Sequence, residues 1–201
     1  MKILLTGFEP FGGRKFNTSY EAVRSAGDIC GVDVRKICLP VTWTGAVEKL
    51  CSETDDFSPD AVILCGLASG ASGIRVERVG INLCGAIRDN AGLYPDGTEI
   101  PSEKPISNDG ENAYFSTFNH KKILQKLREE GIPCEQSFSA GTYICNLVLY
   151  SALKKNFDDN ASRKIGFIHV PDASELVEGN VRNMELCKIA RAIEIAMLNC
   201  D

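Results

Sequence analysis

Histidine is scarce in this sequence: 201 residues carry two, His120 and His169. With so few imidazoles and no Cys-x-x-Cys pair, a structural zinc site has no usable ligand set, and none is expected. Positive charge is also in short supply. Lys and Arg number 22 against 27 Asp and Glu, for a net charge of -5, and the cations are scattered. Holding a phosphate backbone needs clustered Lys and Arg, which argues against nucleic acid as a partner. No apolar run approaches the roughly 18 residues of a membrane helix, so no membrane association is expected. The apolar start, Met1 to Leu5, soon meets Glu9 and Pro10, too early for a secretory signal, and the expected location is cytoplasmic. Repeats, low-complexity tracts and linkers are missing too, which leaves residues 1–201 as a single expected domain.

What is present is an ordinary globular balance, 44% hydrophobic and 24% charged, enough to bury one sizeable core. The nine cysteines are an odd count, and Cys38, Cys65 and Cys187 sit singly in their stretches. They read as small hydrophobes in a reducing compartment. Apolar runs of strand length alternate with stretches of helical period, the pattern of an α/β chain with a largely parallel sheet covered on both faces. Strands are expected at Lys2–Thr6, Val32–Leu39, Ala61–Gly66, Cys134–Phe138 and Ile165–Val170, with Glu77–Leu83 as one extended segment. Helices are expected from a Thr18 or Ser19 cap to Ala26, and over Thr44–Asp55, His120–Glu130, Leu147–Lys155 and Val181–Leu198. Between Asp89 and Glu111 lies a polar loop with three prolines and three glycines, a length usually kept for function or disorder.

Cys145 stands apart from the other cysteines because a small-residue turn, Ser139 to Thr142, precedes it and a helix begins near it. Free amides and the positive end of a helix stabilise a thiolate and could also hold an oxyanion. His169 falls at the C-terminal end of an expected parallel strand, where open α/β sheets place ligand-handling groups. It is the better candidate base, since His120 opens a polar helix beside Lys121 and Lys122. From the residues alone the bland reading competes: one cysteine among nine is more often inert, a strand-end histidine is often structural, and Glu77-Arg78 on an exposed strand is commonly a solvated ion pair.

Four ordered segments resemble the signature blocks of pyroglutamyl peptidase I. They are T-G-F-E-P-F-G-G from Thr6, E-R-V-G-I-N from Glu77, S-A-G-T-Y-I-C-N from Ser139 and G-F-I-H-V-P from Gly166. Four blocks in order are far more specific than one short motif. The resemblance implies a three-layer α/β/α sandwich around a mostly parallel twisted sheet, no cofactor and no metal. Its implied triad is Cys145 as nucleophile, His169 as base and acid, and Glu77 as orienting carboxylate. It further implies a thiol peptidase acting on peptides with N-terminal pyroglutamate, and a homo-oligomer, a tetramer. Phe8 and Phe11 match aromatics that flank the pyroglutamyl ring, and Tyr143 and Ile144 match the opposite wall. Asn17, Leu67 and Arg88 complete the expected substrate-binding set.

The match has departures. The glycine-rich stretch reads G-L-A-S-G-A from Gly66 where the family pattern is G-Q-A-G-G-R, so Leu67 and Ala71 replace a glutamine and an arginine. Arg75 replaces a usual Ser or Thr, and Arg88 is offset by one position from the family's arginine beyond the glutamate. These changes touch substrate binding and not the triad. They keep a second expectation open, that the chain is a catalytically weak or inactive member that binds modified N-termini or another lactam.

Overall fold

The computed structural model describes residues 1–177, 179 and 181–201. In chain order its elements are β1 (Lys2–Phe8), α1 (Thr18–Ser25), β2 (Asp33–Leu39), α2 (Gly45–Phe57), β3 (Ala61–Leu67), β4 (Ile74–Glu77), β5 (Val79–Ile81), β6 (Ala113–Phe115), α3 (His120–Glu129), β7 (Cys134–Ser137), α4 (Ile144–Asp158), β8 (Lys164–Val170), β9 (Asp172–Ala173), β10 (Asn183–Met184) and α5 (Leu186–Asn199). Six strands form the central sheet in the order β2-β1-β3-β8-β4-β7. The first four run parallel, and β4 then meets β8 antiparallel with β7 parallel to β4.

Alternation along the strands divides the core. Ile3 and Leu5 of β1 pack with Val23, Ile123 and Ile193 of α1, α3 and α5. Leu4 and Phe8 of the same strand face the other way, with Leu50 of α2 and Val148 of α4. Period-two side chains on strands and an apolar stripe on each helix therefore give three layers. Strand β3 is buried along its whole length, AVILCGL, which explains why it reads as a continuous apolar run: both its faces carry helices. Among the described residues no helix is long and apolar enough to cross a membrane.

Several expected boundaries shift. The α1 cap is Asn17, whose Oδ1 accepts from Ser19 N at 3.0 Å, while Ser19 Oγ accepts from Phe8 N at 3.1 Å. The hydroxyl that looked like a cap instead ties α1 to the end of β1. The last helix starts at Leu186 because Asn183 and Met184 pair with Asp172 and Ala173. The Glu77–Leu83 segment is two strands: Glu77 ends β4 in the main sheet, and β5 pairs with β6 in a separate ribbon. The first turn of α4 begins at Ile144, earlier than the apolar period suggested, so Cys145 lies inside the helix. The 89–111 loop has neither helix nor multi-residue strand, but Cys84 bridges Lys104 across its base and Asp89 Oδ2 accepts from Trp43 N at 3.0 Å.

Candidate active site

Strand β8 delivers His169 to the C-terminal edge of the sheet with its ring on the α2/α4 side. Its parallel neighbour on β3 is Gly66. A Cβ at Gly66 would lie 3.0 Å from Cys145 Sγ and 2.6 Å from the Phe167 ring. The missing side chain is thus what leaves room for the thiol beside the imidazole. Gly66→Ala is expected to cost about 1–3 kcal/mol of stability through overpacking and to slow Cys145 alkylation. Thermal unfolding and a timed thiol titration check both.

On the other flank of β8, Glu77 sits directly opposite Phe167 in antiparallel register. Directly opposed residues share a face, so Glu77 is the diagonal neighbour of His169. Its Oε1 accepts from His169 Nδ1 at 2.8 Å, which fixes the tautomer and turns Nε2 toward the thiol. Glu77 is fully buried, and its Oε2 has no hydrogen-bond partner among the described residues. The carboxylate therefore depends on His169 for compensation. The expected solvated Glu77-Arg78 pair does not form. Arg78 instead donates to His120 Nδ1 at 3.0 Å and stacks over Phe115.

His120 is also not the surface residue its lysine neighbours suggested. It is buried, and its Nε2 donates to the Glu77 carbonyl at 3.1 Å. Burial, aided by the Arg78 charge and opposed by the Glu77 carbonyl, lowers its pKa and keeps it neutral. Both histidines thus hold Glu77, one by its side chain and one by its backbone.

Burial also pushes the His169 pKa down, but the charge and hydrogen bond of Cys145, then those of Glu77, outweigh it and raise the value to about 9. Cys145 on one side and Glu77 on the other thus favour the protonated ring. Cys145 is the second residue of α4, and Tyr143 at the cap position makes no side-chain cap hydrogen bond. The first-turn amides are therefore available for an oxyanion.

A cavity of about 250 Å³ opens beside the thiol, lined by Phe8, Phe11, Asn17, Val41, Leu67, Ala140, Tyr143, Ile144, Cys145 and His169. Tyr143 packs edge-on against Trp43, with centroids 5.4 Å apart, and its hydroxyl donates to the Arg88 carbonyl at 3.0 Å. Burial, with the Asp89 and Cys145 charges, holds that phenol at about 12, so it stays a neutral donor.

Arg88 itself does not line the cavity. Its guanidinium donates to Gly92 O and Glu99 O at 3.3 and 3.2 Å and lies over Tyr94. The turn at 92–99 offers it two carbonyls and an aromatic face, so Arg88 reaches the site only through its own carbonyl. Arg75, opposite His169 on β4, turns outward to Glu135 at 2.7 Å.

The sequence reading missed Val41 and Ala140, which carry no chemical signal, and it missed Asn146. The Asn146 Oδ1 accepts from Ile81 N, and its Nδ2 donates to Ile81 O and Leu83 O, at 2.9, 2.9 and 3.0 Å. This fully buried amide fixes the start of α4 against the chain leaving β5. Its one sequence signal is a polar side chain on an otherwise apolar helix start.

Residues 1–200 match the family model described as pyroglutamyl peptidase. The chain is 40% identical over 200 residues to pyrrolidone-carboxylate peptidase 1 of Streptococcus pneumoniae, covering 98% of this chain and 91% of that one. To the pyrrolidone-carboxylate peptidase of Thermococcus kodakarensis it is 42% identical over 200 residues, covering 98% and 94%. Among solved structures, a variant of the Pyrococcus furiosus pyrrolidone carboxyl peptidase superposes with a TM-score of 0.90 at 36% identity, over 100% of this chain and 98% of that one. Pyroglutamyl peptidase I of Bacillus amyloliquefaciens gives 0.90 at 33% identity, over 99% and 94%. The match runs the length of the sequence and of the fold, and the chain belongs to the pyroglutamyl peptidase family.

Proposed function

We propose that this chain hydrolyses the bond after an N-terminal pyroglutamyl residue, with Cys145 as nucleophile, His169 as base and acid, and Glu77 as the group that orients and charges the imidazole. The observation that carries the reading is the placement of the thiol and His169 on the wall of a cavity of about 250 Å³ that is otherwise almost wholly apolar. A pyroglutamyl ring is a neutral five-membered lactam, and it suits such walls. Apart from the thiol and His169, none of the lining side chains is ionisable in the neutral range, so a free α-ammonium finds no counter-charge there. Asn17 Nδ2 donates to Glu9 O at 2.9 Å, which leaves its second hydrogen for the lactam carbonyl.

The chemistry follows from the placement. The sulfur attacks the carbonyl carbon that joins pyroglutamate to the next residue, and the first-turn amides of α4 receive the oxyanion. As the C–N bond breaks, His169 gives its Nε2 proton to the departing amine. Water then attacks the thioester; His169 takes its proton and returns one to the sulfur. A protein that merely bound modified N-termini would gain nothing from a raised imidazole beside a thiol, so the binding alternative is set aside. The reading includes a cytoplasmic location, supported by nine free thiols, and assembly of copies, supported by exposed Phe115, Phe138 and Phe157.

A pyroglutamyl amide reporter is expected to be cleaved at least about 10²-fold faster, as kcat/KM, than the prolyl reporter, which places an ammonium in the same cavity. Equal rates on the two would overturn the proposed specificity.

A further inference from the structure

Asp172 is a fully buried carboxylate that the chemistry above does not use. Its Oδ1 accepts from Arg14 Nη1 at 2.6 Å, and its Oδ2 accepts from Ser69 Oγ at 2.8 Å and from Gly70 N at 2.9 Å. Arg14 Nη2 closes the ring of contacts by donating to Ser69 Oγ at 2.7 Å. Burial works against the Asp172 charge, yet Gly70, Ser69 and Arg14 together hold its pKa below the ordinary carboxylate value.

Each arm of this cluster lies two or three residues from a side chain that lines the cavity. Arg14 stands between Phe11 and Asn17, Ser69 follows Leu67, and Asp172 follows His169. The guanidinium spans two partners, one nitrogen on the buried carboxylate and the other on the Ser69 hydroxyl, and its planar fork holds these separate segments in one fixed relation. Two further hydrogen bonds run alongside it: Ala68 N donates to the Val170 carbonyl at 2.8 Å, and Ala173 N donates to the Thr18 side-chain Oγ1 at 3.1 Å.

We propose that Arg14 and Asp172 form a positioning clamp that fixes the Phe11 and Leu67 walls of the cavity, and so governs how tightly the pyroglutamyl end is held. The clamp acts on binding and not on bond breaking. His169 is held independently of it, by ladder pairing on both flanks and by Glu77. Cys145 is held by α4, which Asn146 anchors elsewhere. A residue acting only on the cavity walls removes binding common to the ground and transition states, which raises KM and leaves kcat in place.

This inference rests on the proposed function, and its test separates the two. Arg14 is partly exposed, so Arg14→Met introduces no new buried polar side chain. Asp172 keeps Ser69 and Gly70 on Oδ2 and loses the partner of Oδ1, a stability cost that the thermal midpoint reads separately from KM. The expected effect of Arg14→Met on pyroglutamyl amide turnover is a KM about ten-fold higher with kcat within about two-fold. Arg14→Lys restores part of the loss, and adding Asp172→Asn to Arg14→Met adds little, as expected for partners in one network. The alkaline limb of the pH profile stays where His169 sets it. The same comparison is made as the Kd of a pyroglutamyl peptide in a Cys145→Ser background, which reads the clamp even where turnover is lacking. Lack of turnover by the parent enzyme, with the Kd weakened by Arg14→Met, sinks the peptidase reading and keeps the clamp. KM and Kd within about two-fold of the parent's, or a fall in kcat at constant KM, overturn the clamp. A parent that binds no pyroglutamyl peptide overturns both.

Discussion

With Cys145 replaced by serine, turnover of a pyroglutamyl amide falls by at least about 10³-fold, as is usual when a covalent nucleophile is lost. The substitution changes one atom in a gap that Gly66 already leaves open, so the fold tolerates it and the thermal midpoint stays within about 2 °C. A serine hydroxyl is a far weaker acid than a thiol and a poorer nucleophile. The loss therefore reports chemistry and not packing. A second readout accompanies it. Cys145 is the strongest of the influences that raise His169 against the opposing effect of burial, so in the serine variant the imidazole titrates at lower pH, which NMR of the ring protons follows. A Cys145→Ser protein that keeps its turnover sinks the nucleophile assignment, whatever the geometry around it.

Much of the fold was legible because its signals are local. The continuous apolar run of β3 announces a strand covered on both faces, and the strand spans Ala61–Leu67, one residue beyond the expected Ala61–Gly66. The apolar face of α3, with Ile123, Leu124 and Leu127, is buried as its spacing implies. What was not legible depends on partners far along the chain. Ser19 looks like a cap until its hydroxyl is seen to accept from Phe8 N, and Val181 looks helical until the following residues are seen to pair with β9.

The site divides along the same line. Nine of the ten residues singled out for it lie together, as the cavity lining plus Glu77, which the antiparallel pairing of β4 with β8 sets beside His169. Arg88 is the exception because its fate is decided by two carbonyls in a loop, at Gly92 and Glu99, whose course no periodicity encodes. His120 was misjudged for a related reason. Its lysine neighbours face outward while its own ring is drawn inward between Arg78 and the Glu77 carbonyl, a long-range pairing that charge patterning along one helix does not reveal.

Glu77→Gln is the substitution that separates the shape of the site from its charge. A glutamine can still present an oxygen to His169 Nδ1, where Oε1 now accepts at 2.8 Å, so the tautomer and ring orientation survive. The negative charge does not. The imidazolium loses the charge of one of its two stabilising partners, and His169 moves down from its value of about 9. The expected kcat/KM at neutral pH falls by about 10²-fold, because the imidazolium that gives its proton to the departing amine no longer has a carboxylate charge beside it in the transition state. The pH profile carries the sharper signature. In the parent enzyme the alkaline limb lies near the His169 value, about 9, and in Glu77→Gln it shifts to lower pH. Stability has the matching sign. A histidine whose pKa is raised by folding contributes stability that is fully present below 6.5 and is lost as pH rises through about 9, so the parent weakens across that window. The glutamine variant, with a smaller upward shift, weakens less. An alkaline limb that stays at the parent's position would show that Glu77 does not charge the imidazole, and would reduce it to a buried carboxylate that orients the ring.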